Sequence, residues 1–142
     1  MKIKGSIALV TGANRGLGAA FTRGLLAAGA TKVYAAARNP ADVKLSGAVP
    51  VQLDVTQPEQ VAELAKKLTD VTLLVNNAGA ADFMPLLNPN AIAALQRQFE
   101  TNAVGPLRLA QAFAPILARH GGGAVVNVLS VLSADVSGVR RL

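Results

Sequence analysis

Three stretches of this sequence combine residue types and spacings that could do chemistry. The first is Thr11-Gly12-Ala13-Asn14-Arg15-Gly16-Leu17-Gly18, a T-G-x-x-x-G-x-G pattern. Glycines let a backbone turn sharply and lie close against another group. If a helix opens at the end of such a turn, its free N–H groups and partial positive charge form a binding place for a pyrophosphate. The second stretch is Asn76-Asn77-Ala78-Gly79. It reads either as an ordinary Asn-Gly turn or as the ligand-facing exit of a strand. The third is Val125-Val126-Asn127-Val128-Leu129-Ser130. Ser130 would stand at the carboxyl end of a strand and face a ligand crevice, with Ser133 as the rival position.

Four single residues add to these. Asp54, followed by Val55, closes an apolar run. Its carboxylate could accept from an adenine amino group or could serve the turn before a helix. Asn102 lies in Thr101-Asn102-Ala103-Val104-Gly105, where a helix is expected. Asn lowers helix propensity, so it is either a surface residue or one with a task. Arg38 follows another apolar run, at the place where an acidic residue would bind a ribose 2′-hydroxyl. A guanidinium there suits a 2′-phosphate instead. Arg15 places a second guanidinium inside the glycine-rich turn. Either arginine could also be plain solvated charge.

These residues need a scaffold, and the hydrophobic pattern describes one. Apolar runs occupy 7–10, 32–37, 49–53, 71–75 and 124–129, with Pro50 inside the third. Each has strand length, and most are apolar throughout, as in parallel strands buried on both faces. Between them lie helical patterns. Leu17, Ala20, Phe21, Gly24 and Ala28 recur at helix spacing, and Gly29 supplies a stop. Thr56-Gln57-Pro58-Glu59 has the spacing of a capping box, and Val61, Leu64, Ala65 and Leu68 mark an apolar face after it. Asn88-Pro89 reads as an N-cap followed by a proline in the first turn. The long helix beyond it is expected to bend at Gly105-Pro106. The order β-α-β-loop-β-α-β-α-β, with right-handed crossovers, predicts a doubly wound α/β sheet in a single domain.

Composition excludes several classes. The 142 residues are 51% hydrophobic and 15% charged, which argues against disorder. The net charge is +6, but the basic residues are spread from Lys2 to Arg141 and do not interleave with aromatics. Nucleic acid is therefore not the expected partner. With no cysteine and one histidine, His120, neither a disulfide framework nor a metal site is expected. The N-terminal apolar run is too short for a signal segment, and no run approaches a membrane span. A soluble, cytoplasmic chain is the expectation.

The glycine-rich turn after the first strand and Asn-Asn-Ala-Gly after the fourth lie about sixty residues apart. In that arrangement the sequence resembles the short-chain dehydrogenase/reductase family. The resemblance implies a Rossmann-type parallel sheet of about five strands in the order 3-2-1-4-5, incomplete relative to the family. It implies hydride transfer between a nicotinamide cofactor and a small alcohol or carbonyl substrate. Cofactor-binding positions would be Gly12, Asn14, Arg15, Gly16, Leu17, Gly18, Arg38, Asp54, Val55, Asn76, Ala78 and Gly79. Asp54 would hold adenine, and Arg15 with Arg38 would favour NADP(H) over NAD(H). Ser130 would hydrogen-bond the substrate carbonyl, and Asn102 would organise a water relay.

The family's proton is moved by a tyrosine in a Y-x-x-x-K motif, due about a dozen residues after the serine. This sequence has one tyrosine, Tyr34, in its second apolar run. The resemblance covers residues 1–134, the expected nucleotide-binding domain, and residues 135–142 depart from it. Codons for Val-Arg-Arg-Leu and a stop can be chosen that, read one base later, encode Ser-Gly-Ala-Tyr. A frameshifted reading is one account of this tail, and the coding DNA tests it. On this reading the last two strands and the substrate-covering segment are missing. The fifth strand is then an open edge that invites self-association. An inactive nucleotide-binding or interaction module, or a non-functional product, is the alternative expectation.

Overall fold

The computed structural model describes residues 2–85, 87–119 and 121–129. Five strands form one parallel sheet: β1 (Ile7–Thr11), β2 (Lys32–Ala37), β3 (Val49–Gln52), β4 (Leu73–Asn76) and β5 (Ala124–Asn127). Their order is β3-β2-β1-β4-β5, the order the resemblance implies. The central strands β1, β2 and β4 are almost wholly buried, as their unbroken apolar runs require. The edge strands are not. β3 and β5 are largely exposed, so burial on both faces holds only for the centre. Pro50 fits this edge position, in register with Ala35, because an edge strand leaves one side free of ladder bonds.

Helix α1 (Gly16–Ala27) covers one face, over Ala8, Val10, Val33, Ala35, Leu73 and Val75. Helices α2 (Pro58–Lys67) and α4 (Gly105–Arg119) cover the other, where Phe113 and Leu109 pack with Leu9, Leu74, Val61 and Leu64. The α1 stripe differs from the expected one. Its buried residues are Gly18, Ala19, Thr22 and Leu25, whereas Leu17 is 64% exposed and Phe21 is 37% exposed. The reason is size: small residues let the helix lie close to an alanine-rich sheet, and the bulkier ones turn outward. Thr22 meets its polar need inside the helix by donating to the Gly18 carbonyl. The stop at Gly29 is as expected. Gly29 has φ +86, Ala30 N–H bonds to Leu25 O and Gly29 N–H to Leu26 O, a Schellman closure.

Three expected boundaries are corrected. Thr56 does not cap α2, which begins at Pro58 after Gln57. The Thr56 hydroxyl and N–H instead both donate to Asp54 Oδ1, at 2.7 and 3.0 Å, which places Thr56 in the turn before the helix, with Gln57 at the N-cap. Asn88-Pro89 does not start a helix. Asn88 accepts from Asn90 N–H through Oδ1 and from Ala91 N–H through its carbonyl, making a turn before α3 (Ala91–Phe99). The bend lies just before Gly105-Pro106 rather than at it, where residues Glu100–Val104 form a π-helical segment between α3 and α4. Pro106 has no N–H and its ring crowds the carbonyl four residues back, so the preceding turn widens.

Candidate functional site

The crossovers run from β1 outward to β2 and β3, and then to β4 and β5 on the other side. A sheet wound this way opens a crevice at the carboxyl ends of its central strands. A cleft of roughly 1070 Å3 lies there. Its walls come from the glycine-rich turn, the end of β2, the loop after β3, residues 77–80 and the start of the π-helical segment.

Each glycine of the turn has its own reason. Gly12 has φ +64, and a Cβ there would lie 3.0 Å from Ala78 Cα. Gly18 has ordinary φ, but a Cβ would collide with Gly12 O and press on Asn77 Nδ2. Gly16 has φ +54 with open space around it. Two glycines therefore close the turn on itself and against the segment that leaves β4, and the third leaves its outer surface bare. Helix α1 starts here with Arg15 as its N-cap, with no side-chain cap and no acidic residue in the first turn. Its free N–H groups thus face the cleft without an internal anion to satisfy them.

The turn is tied to β4 by Thr11 and Asn77. Thr11 Oγ1 accepts from Asn77 N–H and Ala78 N–H, both at 2.9 Å. Asn77 Nδ2 donates to Thr11 O at 2.9 Å and to Gly12 O at 3.3 Å. Neither residue stood among the candidates, although both lie inside the two motifs. Their partners are 66 positions apart, and no local pattern connects them. Asn76 is buried and donates to Asn127 Oδ1 at 2.9 Å. It braces β4 against β5 and does not line the cleft, whereas Ala78 and Gly79 do.

On the β2–β3 side the cleft is lined by Arg38, Leu53, Asp54 and Val55. Asp54 Oδ1 accepts from Thr56 N–H and Thr56 Oγ1, and the Asp54 N–H donates to Gln60 Oε1. Asp54 therefore orders its own turn, the structural one of its two readings, and it also stands in the cleft wall. Asn14, Arg15, Gly16 and Leu17 line the adjacent stretch. Arg15 and Arg38 are exposed, and among the described residues neither forms an ion pair. Elsewhere in the wall Arg97 pairs with Asp82 at 2.9 Å and Glu100 with Arg108 at 2.9 Å, while Asp42 and Asp54 are held by the neutral side chains of Asn39 and Thr56.

Asn102 sits in the π-helical segment and grips Ala80. Its Oδ1 accepts from Ala80 N–H and its Nδ2 donates to Ala80 O, both at 2.8 Å. It thereby holds the cleft wall from behind while Thr101 and Glu100 face the cleft. Ser130 and Ser133 lie outside the described residues, as do His120 and residues 135–142. Tyr34 is at the other end of the sheet. Its hydroxyl donates to Asp70 and accepts from Lys32 Nζ at 3.2 Å.

Tested against a dinucleotide, the residues present fit. The bare surface at Gly16, the uncapped start of α1 and two unpaired guanidiniums suit phosphate groups, and the apolar wall at Leu53 and Val55 suits a base.

The model of the short chain dehydrogenase family matches residues 6–139. Galactitol 2-dehydrogenase of Agrobacterium fabrum is 32% identical over 140 residues, which are 92% of this chain and 54% of that protein. The 7alpha-hydroxysteroid dehydrogenase of Escherichia coli is 31% identical over 143 residues, 92% of this chain and 55% of the enzyme. Among solved structures, a short chain dehydrogenase from Burkholderia cenocepacia in complex with NADP superposes with a TM-score of 0.86 at 44% identity. That match covers 94% of this chain and 56% of the other. A metagenomic short-chain oxidoreductase in complex with NADP gives a TM-score of 0.83 at 29% identity, over 94% of this chain and 65% of that one. The chain thus spans about half the length of the curated relatives it matches. With the family model matching residues 6–139 and the fold superposing on a short chain dehydrogenase at 44% identity, this chain belongs to the short-chain dehydrogenase family.

Proposed function

We propose that the chain binds NADP(H) across the cleft, as the nucleotide-binding part of an oxidoreductase acting on a small alcohol or carbonyl compound. The observation that carries the cofactor choice is the pair Arg15 and Arg38, unpaired among the described residues and standing beside the free start of α1. The pyrophosphate takes the N–H groups at Gly16–Gly18, and the 2′-phosphate takes the two guanidiniums. Adenine lies toward Asp54 and Val55, and the nicotinamide half lies toward Ala78, Gly79 and Ala80. When bound, the nicotinamide ring supplies or accepts a hydride. Asn102 holds the Ala80 backbone in place beside that half, and Ser130 orients the substrate oxygen. The two relatives solved with NADP support the same choice of cofactor.

A titration of NADPH fluorescence tests this. Saturable binding of NADPH, weaker binding of NADH, and a loss of about 10- to 100-fold for NADPH in Arg38→Ala are expected, since a charge-assisted hydrogen bond contributes about 1.5–3 kcal/mol. NADH affinity should change little. No saturable binding of either nucleotide overturns the proposal.

A second reading rests on Tyr34. The one tyrosine of these 142 residues is locked to Asp70 and Lys32 at the far end of the sheet. These residues by themselves then form a binding module, which holds NADPH without reducing a carbonyl compound. Carbonyl reduction by the isolated chain would exclude this reading.

A further inference from the structure

Arg108 lies on α4, outside every motif, yet it touches both sides of the cleft's floor. Its Nη1 donates to the Val55 carbonyl at 2.9 Å, and its Nη2 donates to Glu100 Oε1 at 2.9 Å. The Arg108 side chain is only 21% exposed. Val55 belongs to the loop that carries Asp54, and Glu100 opens the π-helical segment that carries Asn102. Asn102 in turn holds Ala80 by both backbone groups. One guanidinium thus joins the loop after β3 to the segment behind β4, two elements that share no sequence and meet only at the cleft. Packing at the junction is tight: a Cβ on Gly105 would lie 2.9 Å from Val55 Cγ2 and 3.3 Å from Val55 O. α4 and the Val55 loop therefore pack without room for a side chain at Gly105. The guanidinium's rigid fork, with two donors on two acceptors, fixes the remaining direction.

We infer that Arg108 is a positioning residue for the cofactor cleft, which locks the Asp54–Val55 wall and the Asn102–Ala80 wall into one unit. It rests on the NADP(H) reading above and adds a residue that does not touch the nucleotide. The consequence is coupling. A ligand that orders the adenosine side also orders the Ala80 side, because both hang from the same fork. Without the fork the Gly105–Val55 contact remains but the hydrogen-bonded link between the walls is lost, and the nucleotide must supply more of the ordering on binding, which weakens affinity.

Arg108→Met keeps the apolar stem and removes the donors. Arg108→Lys keeps the charge but offers one compact ammonium to two separated acceptors. Isothermal titration with NADPH and with 2′,5′-ADP, an adenosine-side probe, reads Kd and stoichiometry separately. The wild type should bind both. Arg108→Met should bind NADPH about tenfold more weakly with unchanged stoichiometry, and Arg108→Lys should fall between. A purely structural role gives the opposite pattern, a lower stoichiometry at unchanged Kd, and overturns the inference. Wild-type Kd in Arg108→Met overturns it too. Hydrogen exchange of the wild type needs no variant. Saturating 2′,5′-ADP should slow exchange of the Ala80 amide, and unchanged exchange there denies the coupling. Failure of the wild type to bind NADPH at all sinks the NADP(H) reading itself, which separates the two failures.

Discussion

At the scale of single residues, the cleft depends on side chains that satisfy backbone groups more than on side chains that face a ligand. Thr11 shows this best. Its hydroxyl oxygen receives two N–H groups from the strand-exit segment after β4, and it is 1% exposed. Thr11→Val keeps the shape and removes the acceptor. Two half-buried donors lose their partner, and each is expected to cost about 1–2 kcal/mol. Urea denaturation should show a loss of about 2–4 kcal/mol, with NADPH affinity reduced in the folded fraction. A loss below about 0.5 kcal/mol, within the range of neutral surface changes, would mean that water or a rearranged loop replaces the hydroxyl.

At the scale of elements, the π-helical segment is the least regular part of the helical layer and the one closest to the cleft. Its wide turn is a direct outcome of Pro106 at the head of α4. The unusual backbone carries Asn102 to a distance where both its amide groups reach Ala80. Asn102→Ala removes both bonds and leaves Ala80 held by its chain neighbours alone. The Ala80 amide should then exchange about tenfold faster, with the core strands β1 and β4 unaffected, as local opening requires. Equal exchange in the variant and the wild type would show that the loop is held by other means.

At the scale of the whole molecule, the two ends of the sheet behave differently. The carboxyl ends carry the cleft, and the amino ends carry the Lys32, Tyr34 and Asp70 cluster. Burial pushes the Asp70 carboxyl up, but hydrogen bonds from Lys32 and Tyr34 outweigh it and hold the group below its usual 3.8. The hydrogen bond to Asp70, then that to Tyr34, raises Lys32 above its usual 10.5. The Asp70 contribution is present above 3.8 and lost as pH falls through its lowered value. The Lys32 contribution is present below 10.5 and lost as pH rises through its raised value. The groups are over a third exposed, so the effect is modest. Urea midpoints measured from pH 5 to pH 2 should fall less steeply in Asp70→Asn than in the wild type, and parallel curves would deny the cluster a role. The sheet's sides differ as well. β5 pairs only with β4 among the described residues, and Val125 and Val126 are 40% and 43% exposed. We expect concentration-dependent association through this edge, read by sedimentation velocity and reduced by Val126→Lys. A wild type that stays monomeric at all concentrations would exclude it.

The sheet order came from the family resemblance, whereas the succession of strands along the chain and the place of the glycine-rich turn were legible in the amino-acid sequence alone. Both are local: an unbroken apolar run of strand length needs a buried parallel position, and a turn that must pass close to another backbone needs glycine. The family followed from two such local patterns in the right order. The stripe Leu17, Ala20 and Phe21 misled, because helical spacing identifies an apolar face without saying which neighbouring face the sheet can accept. Thr56 misled because it lies in the turn that Asp54 closes, one residue short of the N-cap position that Gln57 holds. Thr11 with Asn77, and Arg108 with Val55 and Glu100, were invisible for a deeper reason. Thr11 with Asn77 and Arg108 with Val55 lie 66 and 53 positions apart and come together only when the crossovers are closed, and Glu100, 8 positions from Arg108, is reached only across the π-helical turn. The sequence by itself determined that a glycine-rich turn exists and that it stands between β1 and α1. Only the tertiary structure decided what holds its walls, because hydrogen bonds between distant segments depend on packing and leave no periodic trace in the chain.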